Sequence, residues 1–167
     1  MITETKRLLI EQANLADSLF FLKLMNSTNW IEFIGDRGIT SEEKASEYIR
    51  KSLLDSYTRH GYGLFKISFK ETALPIGICG FIKRDYLNHA DIGFAILPEY
   101  EGKGYAYEAM QATMTYGRNI LKLHPILGIT THKNSKSQHL LSKIGLRLIK
   151  PIKSPENEKE FLLFSNA

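Results

Sequence analysis

Hydrophobic and polar positions in the first third of the chain predict a strand followed by two helices. Polar and apolar residues alternate in KRLLIEQA, as in a strand with one buried face. Residues 14–26 then place apolar side chains at helical spacing behind an asparagine cap. Residues 40–61 offer Thr40 or Ser41 as N-cap, acidic residues in the first turn and a glycine as the stop, which predicts a longer helix.

The middle of the chain changes to a β pattern. Three runs rich in β-branched and aromatic residues, GYGLFKISFK, LPIGICGFIKRD and HADIGFAIL, are separated by turn signals and predict an antiparallel meander. A helix is predicted from Tyr105 to about Leu123, because apolar residues recur there at helical spacing. The apolar face of that helix consists of Ala106, Ala109, Met110, Met114 and Ile120.

The last third predicts a strand, a short helix and a closing pair of strands. HPILGITT has a strand pattern, and NSKSQHLLSKIG has a helical pattern that ends on a glycine. LRLIKPI and EKEFLLF follow as two strands joined by a polar turn. Strands therefore outnumber helices in a mixed order, which is typical of the α+β fold class.

Composition and charge indicate one ordinary globular domain over residues 1–167. The chain has 43% hydrophobic and 24% charged residues, and its length suits one well-buried core. We expect a cytoplasmic protein without a membrane partner, since the charged N-terminal segment is neither a signal peptide nor an anchor. The net charge of +4 is spread along the chain without a basic cluster, so nucleic-acid binding is not expected.

A glycine turn (Glu101–Gly104) precedes the long predicted helix and offers a site for an anion. Gly102 and Gly104 flank Lys103 and lead directly into the helix N-terminus. The first N–H groups of a helix have no internal partner, and glycine lets a phosphate approach the backbone closely. The spacing matches neither a Walker loop nor a dinucleotide fingerprint. A pyrophosphate cradle and a plain turn remain as the two interpretations.

Cysteine and histidine do not predict a metal or thiol site. Cys79 lies in the apolar run PIGICGF, which favours a core thiol over a catalytic one. The five histidines lack paired ligand spacing, so no metal is expected. Only His89 begins the β run that leads to the glycine turn, and a surface position is its simpler interpretation.

Three segments together resemble the GNAT superfamily of N-acetyltransferases. EGKGYA resembles the pyrophosphate loop of that family, NSKSQHLLSKIGL resembles its N-x-x-S-x-x-L-x-x-K-x-G-F motif, and TETKRLLI resembles its opening T-E-R-L-x-L. Within the superfamily, the chain is similar to the branch of ribosomal-protein N-terminal (RimJ/RimL-like) acetyltransferases. The resemblance implies a mixed, mostly antiparallel central sheet with a splayed central strand, flanked by about four helices.

The resemblance also implies acetyl-coenzyme A (acetyl-CoA) as the donor, without a metal. The splayed strand would offer free backbone groups at Phe94 and Ile96, with Ala95 between them, to the pantetheine arm and the acetyl carbonyl. Asn134 and Ser137 match family positions that touch the cofactor. The pyrophosphate would lie on the backbone of a segment made up of Gly102, Lys103, Gly104, Tyr105, Ala106 and Tyr107.

Three departures from the family pattern bear on the chemistry. Glu101 stands where the family has Gln, Arg or Trp, and we expect it to face outward. Leu141 occupies the position of a tyrosine that serves many relatives as general acid, which leaves Ser137 as the candidate acid. The glutamate base of histone-acetylating relatives aligns with Ala90, beside Asp91. Asp91 is therefore the candidate base, and a structural carboxylate is the alternative.

We therefore expect an acetyl-CoA-dependent N-acetyltransferase that moves the acetyl group directly to a primary amine, either a protein N-terminus or a small molecule. Two alternatives remain open. The chain could be a sensor module that binds acyl-CoA without turnover, or an acetyltransferase that acts on tRNA or ribosomal targets. The sequence does not identify the acceptor, and a homodimer is compatible with it.

Overall fold

A single sheet of eight strands runs through the protein, and the computed structural model describes all residues from 1 to 167. The strands are β1 (Thr3–Glu4), β2 (Leu8–Gln12), β3 (Leu64–Phe69), β4 (Pro75–Ile82), β5 (Asp91–Ile96), β6 (Leu127–Thr130), β7 (Arg147–Lys153) and β8 (Glu160–Ser165). Their order across the sheet is β1-β2-β3-β4-β5-β6-β8-β7. Every neighbouring pair is antiparallel except β5 with β6, so the predicted meander and the mixed, mostly antiparallel sheet are confirmed.

Five α-helices accompany the sheet. They are α1 (Ser18–Met25), α2 (Glu42–Tyr48), α3 (Asp55–His60), α4 (Tyr105–Asn119) and α5 (Ser135–Lys143). A π-helical turn (Ile49–Leu54) joins α2 to α3 without a break, so the five helices form four separate helical segments. This agrees with the expectation of about four. A second π-helical turn (Trp30–Ile34) follows α1.

Helices lie on both faces of the sheet. On one face, α4 packs so closely against β4 that a Cβ on Gly117 would come within 2.5 Å of the Phe81 ring. Because side chains alternate along a strand, Lys66 of β3 points to the opposite face. There it forms an ion pair of 2.8 Å with Asp17, in the turn before α1. The sheet is therefore flanked by α4 on one face and by the turn that leads into α1 on the other.

The predicted helix boundaries hold where local capping decides them. Asn14 and Asp17 form a reciprocal capping box at the turn that leads into α1. Ser41, and not Thr40, caps α2, because its hydroxyl accepts a hydrogen bond from the Lys44 N–H at 3.2 Å. Gly61 ends α3 in the left-handed conformation, with φ of 75°.

One prediction about secondary structure was wrong, and one short strand was missed. α4 ends at Asn119 and does not continue to about Leu123. The chain reverses there, since the Leu123 N–H bonds back to the Gly117 carbonyl at 2.9 Å. Ile120 consequently leaves the apolar face and is 66% exposed. β1 was not predicted, because two residues are too few to show an alternating pattern.

Cys79 is a buried core residue, as predicted. Its side chain is fully buried, and its thiol donates to the Thr113 hydroxyl at 3.4 Å. Burial raises the pKa of the Cys79 thiol to about 12, so the thiol stays protonated at neutral pH. His89 is exposed, which agrees with the expected surface position.

Candidate active site

A wedge opens between β5 and β6 in the middle of the sheet. The two strands pair at one position only, Asp91 with Leu127. The Leu127 N–H donates there to the Ala90 carbonyl at 3.0 Å. β5 continues to Ile96 and β6 to Thr130 without further pairing, so the predicted splayed strand is confirmed.

Alternation along β5 directs particular backbone groups into this wedge. The Ala90 carbonyl points toward β6, whereas the Leu97 N–H points toward β4 and donates to the Ile76 carbonyl at 2.8 Å. Successive residues of a strand turn their backbone groups to opposite sides. Phe94 and Ile96 therefore face the wedge with their N–H and C=O groups. The backbone of Ala95 faces β4, where Ala95 is paired with Ile78.

The glycine turn lies at the end of β5 and presents a row of free donors. Gly102 and Gly104 adopt φ of 74° and 83°, a conformation that favours glycine. None of the N–H groups of residues 102–107 donates a hydrogen bond within the chain. They stand at the N-terminus of α4, a helix of 15 residues whose dipole adds partial positive charge. Such an arrangement suits a bound anion.

Side chains of the first turn of α4 point away from these donors and pack elsewhere. The ring of Tyr105 contacts Phe69, with 5.1 Å between the ring centroids. Tyr107 lies under the Lys143 ammonium, which is 4.2 Å from its ring centroid. Lys103 is exposed and Ala106 is half-buried. The backbone therefore stays open to an anion, with the exposed side chain of Lys103 beside it.

Glu101 does not face outward as predicted. It is half-buried, and its carboxylate accepts a hydrogen bond from the Asn29 amide. A second contact lies nearby, since Lys23 and Glu99 form an exposed ion pair of 2.8 Å. Glu101 is thus held by the segment after α1, and this contact accounts for an acid in the glycine turn.

The start of α5 lies at the same edge of the sheet as the glycine turn, because α4 and α5 each follow one of the two parallel strands. The Asn134 side chain caps α5 by accepting a hydrogen bond from the Ser137 N–H at 3.1 Å. Ser137 is 7% exposed, and its hydroxyl makes no hydrogen bond within the chain. Leu141 is buried against Gly128 of β6 and has no proton to give.

Asp91 occupies the closed end of the wedge in an ion pair. Its carboxylate accepts from the Arg84 guanidinium at 2.9 Å, and its side chain is 2% exposed. Burial raises the pKa of the Asp91 carboxyl, and the charge and hydrogen bond of Arg84 oppose that shift. Because the Asp91 carboxylate is already paired with Arg84, a structural role for Asp91 is favoured over the role of general base.

A family model for the acetyltransferase (GNAT) domain matches residues 7–147. The chain belongs to the GNAT acetyltransferase family. Enzymes of this family use acetyl-CoA, and this GNAT acetyltransferase is accordingly an acyltransferase. The wedge, the glycine turn and the start of α5 are thus the parts of its structure in which the coenzyme-binding residues were predicted.

Named relatives support the assignment. The uncharacterised N-acetyltransferase YnaD of Bacillus subtilis (strain 168) is 30% identical over 143 residues, which cover 86% of this chain and 81% of that protein. The spermidine N(1)-acetyltransferase of Vibrio cholerae is 27% identical over 130 residues, which cover 77% and 72% of the two chains. RimL, a ribosomal L7/L12 alpha-N-protein acetyltransferase solved in complex with coenzyme A, has a TM-score of 0.82 at 17% identity. That match covers 98% of this chain and 96% of RimL, and it shows the fold alone.

No group of three or more His, Cys, Asp and Glu side chains is arranged to hold a metal ion. None of the helices has the length and apolar character needed to cross a membrane.

Sequence reasoning missed three residues near the site. Arg84 pairs with Asp91, Asn29 holds Glu101, and Arg7 contacts the glycine turn. Of these three residues, only Arg7 could have been found from the sequence, because it lies in the opening TETKRLLI segment that resembles the family. The partners of Asn29 and Arg7 are far away along the chain, so no local pattern could reveal these contacts.

Proposed function

We propose that this GNAT acetyltransferase transfers an acetyl group from acetyl-CoA directly to a primary amine. The observation that carries the proposal is a series of backbone donors without partners, at Phe94 and Ile96 along the wedge and at residues 102–107 beyond it. A ligand that fits this series is extended at one end and anionic at the other. Acetyl-CoA has both properties.

Each part of the donor has a proposed set of contacts. The N–H groups of residues 102–107 hold the pyrophosphate, and the exposed Lys103 side chain adds positive charge. The pantetheine arm pairs with the backbone of Phe94 and Ile96, while Ala95 contributes its half-buried side chain. Asn134 and Ser137 contact the arm from the start of α5 on the other side of the wedge.

The proposed chemistry is direct acyl transfer. Acetyl-CoA supplies a thioester, and the wedge-facing N–H groups stabilise the negative charge that develops on its carbonyl oxygen. A nitrogen–carbon bond forms, the carbon–sulfur bond breaks, and the amine releases one proton. The Ser137 hydroxyl protonates the departing sulfur, and water carries the proton of the amine back to Ser137. Asp91 remains in its ion pair with Arg84 and is not the base.

The proposed acceptor is a primary amine of a small molecule or of a protein N-terminus. One relative is named for spermidine and one structural neighbour for ribosomal L7/L12, and each of these targets carries a primary amine. A panel of polyamines and short peptides with free N-termini therefore tests the acceptor. Release of free thiol in the presence of one of them is the expected result.

Two alanine variants form a matched test of the donor site. Gly102 and Gly61 have φ of 74° and 75°, and an added Cβ would meet no atom within 4 Å at either position. Both substitutions impose similar backbone strain of about 1 kcal/mol. Only Gly102→Ala puts a methyl group beside the free donors. We expect the Kd for acetyl-CoA, measured by calorimetry, to rise about tenfold or more in Gly102→Ala and to stay unchanged in Gly61→Ala.

The outcomes of these experiments separate the parts of the proposal. Absence of acetyl-CoA binding by the unmodified protein would overturn the donor site. Equal affinity in the two glycine variants would remove the glycine turn from that site. Binding without thiol release from any acceptor would contradict acyl transfer and support the sensor alternative.

A further inference from the structure

The turn between β1 and β2 lies against the first turn of α4. Arg7 in this turn makes several contacts with α4 and the glycine turn. Its guanidinium donates through Nε to a Glu108 carboxylate oxygen at 2.9 Å and through Nη2 to the Lys103 carbonyl at 3.3 Å. The same guanidinium lies 4.4 Å from the ring centroid of Tyr105. One planar side chain thus contacts Lys103 and Tyr105 of the predicted pyrophosphate segment and Glu108 just beyond it, and we call this set of contacts the Arg7 clamp.

Both carboxylate oxygens of Glu108 accept hydrogen bonds from this turn. Its second carboxylate oxygen accepts from the Arg7 backbone N–H at 3.2 Å and from the Thr5 hydroxyl. Burial alone would raise the pKa of the Glu108 carboxyl. The hydrogen bonds from Thr5 and Arg7 outweigh burial and hold that pKa below its ordinary value, so Glu108 is ionised at neutral pH.

An ionised carboxylate at this position opposes anion binding. Glu108 lies in the first turn of the helix whose N–H groups are free for a pyrophosphate. Like charges this close repel each other unless a cation lies between or beside them. Arg7 provides that positive charge at hydrogen-bonding distance from Glu108. Arg7, 101 residues away in the sequence, therefore offsets the negative charge of Glu108 at the helix N-terminus.

The second arm of the guanidinium acts on the backbone. In a trans peptide unit the C=O and the following N–H point in opposite directions within one plane. Arg7 holds the Lys103 carbonyl, so the Gly104 N–H of the same peptide unit points away from Arg7. That N–H makes no hydrogen bond within the chain and belongs to the free row. Release of the carbonyl would let this peptide unit rotate and would turn one donor out of the row.

We propose that Arg7 is a positioning residue for the donor: it orients the Lys103–Gly104 peptide unit toward the pyrophosphate and neutralises Glu108. The inference rests on the proposed function, because it assumes that acetyl-CoA binds at the glycine turn. It assigns a physical role to the arginine of the opening TETKRLLI segment.

Arg7→Lys is the principal variant. Lysine keeps the charge but has a single ammonium group, which cannot bond the carboxylate and the carbonyl as a planar fork does. We expect KM for acetyl-CoA to rise about tenfold, with kcat and KM for the amine changed less than twofold. The matched control is Arg59→Lys, since Arg59 also pairs with an acid, Asp55, at 3.2 Å, on the exposed face of α3. The control should leave every constant unchanged.

A truncated donor distinguishes positioning from a general structural defect. S-acetylpantetheine carries the thioester but lacks the pyrophosphate, so its kcat/KM should be the same for Arg7→Lys and the unmodified protein. An equal loss with both donors would mean that Arg7 only supports the fold, and it would overturn the proposal. An unchanged KM for acetyl-CoA in Arg7→Lys would also overturn it, while acetyl-CoA binding by the unmodified protein would keep the proposed function intact.

Chemical rescue keeps the test decisive if the variants lose stability. In Arg7→Ala, added ethylguanidinium should restore acetyl-CoA affinity at least threefold more than ethylammonium at equal concentration, because only the former offers a planar fork. Equal effects of the two cations would show that charge alone matters and would contradict the orienting role.

Discussion

At the scale of single residues, Ser137 is largely buried as a residue, and its hydroxyl has no hydrogen-bond partner within the chain. Removal of this hydroxyl leaves the capping of α5 intact, because Asn134 accepts from the Ser137 backbone N–H and not from its side chain. We expect Ser137→Ala to lower kcat about 100-fold while KM for acetyl-CoA changes less than threefold, as the loss of a general acid would. Steady-state kinetics checks this expectation, with the exposed Ser135→Ala in the same turn as control. An unchanged kcat would remove Ser137 from the proton path.

At the scale of elements, the hydrogen exchange of each backbone amide in β5 can be predicted from the direction in which it points. All four residues 93–96 lie opposite β4 residues, but the backbone N–H and C=O groups of Gly93 and Ala95 point toward β4, whereas those of Phe94 and Ile96 point into the wedge. Amide exchange followed by NMR should therefore be slow at Gly93 and Ala95 in all conditions. At Phe94 and Ile96 it should become slow only when acetyl-CoA is present. Protection of Phe94 and Ile96 without ligand, or no change on binding, would contradict the proposed pairing with the pantetheine arm.

Helices and strands could be predicted from the sequence where nearby residues determine them. Contacts between different elements could not be predicted in this way. Ser41 and Gly61 bound their helical segment through a cap and a left-handed turn that any short window shows. The end of α4 was missed because the reversal after Asn119 depends on hydrogen bonds back to the preceding turn. The direction of Glu101 was missed because its partner, Asn29, lies 72 residues earlier.

At the scale of the whole molecule, two half-sheets meet at one point. Strands β1 to β5 form one half, β6 to β8 form the other, and Asp91 with Leu127 is the only residue pair that joins them. The buried ion pair of Asp91 with Arg84 lies at this junction. The candidate base of the sequence-based prediction is therefore better explained as part of the connection that closes the wedge.

Asp91→Asn tests this explanation, because it removes the charge and keeps the shape. The substitution leaves Arg84 without a counter-charge, and we expect it to lower the free energy of unfolding by about 3 kcal/mol in urea titrations. Arg84→Met combined with Asp91→Asn should recover most of that loss, since neither charge then remains. The acidic limb of the kcat/KM profile against pH should persist in Asp91→Asn, because in the proposed mechanism water, and not Asp91, accepts the proton of the amine. Unchanged stability together with a loss of that limb and a fall in kcat of about 100-fold would instead identify Asp91 as the general base.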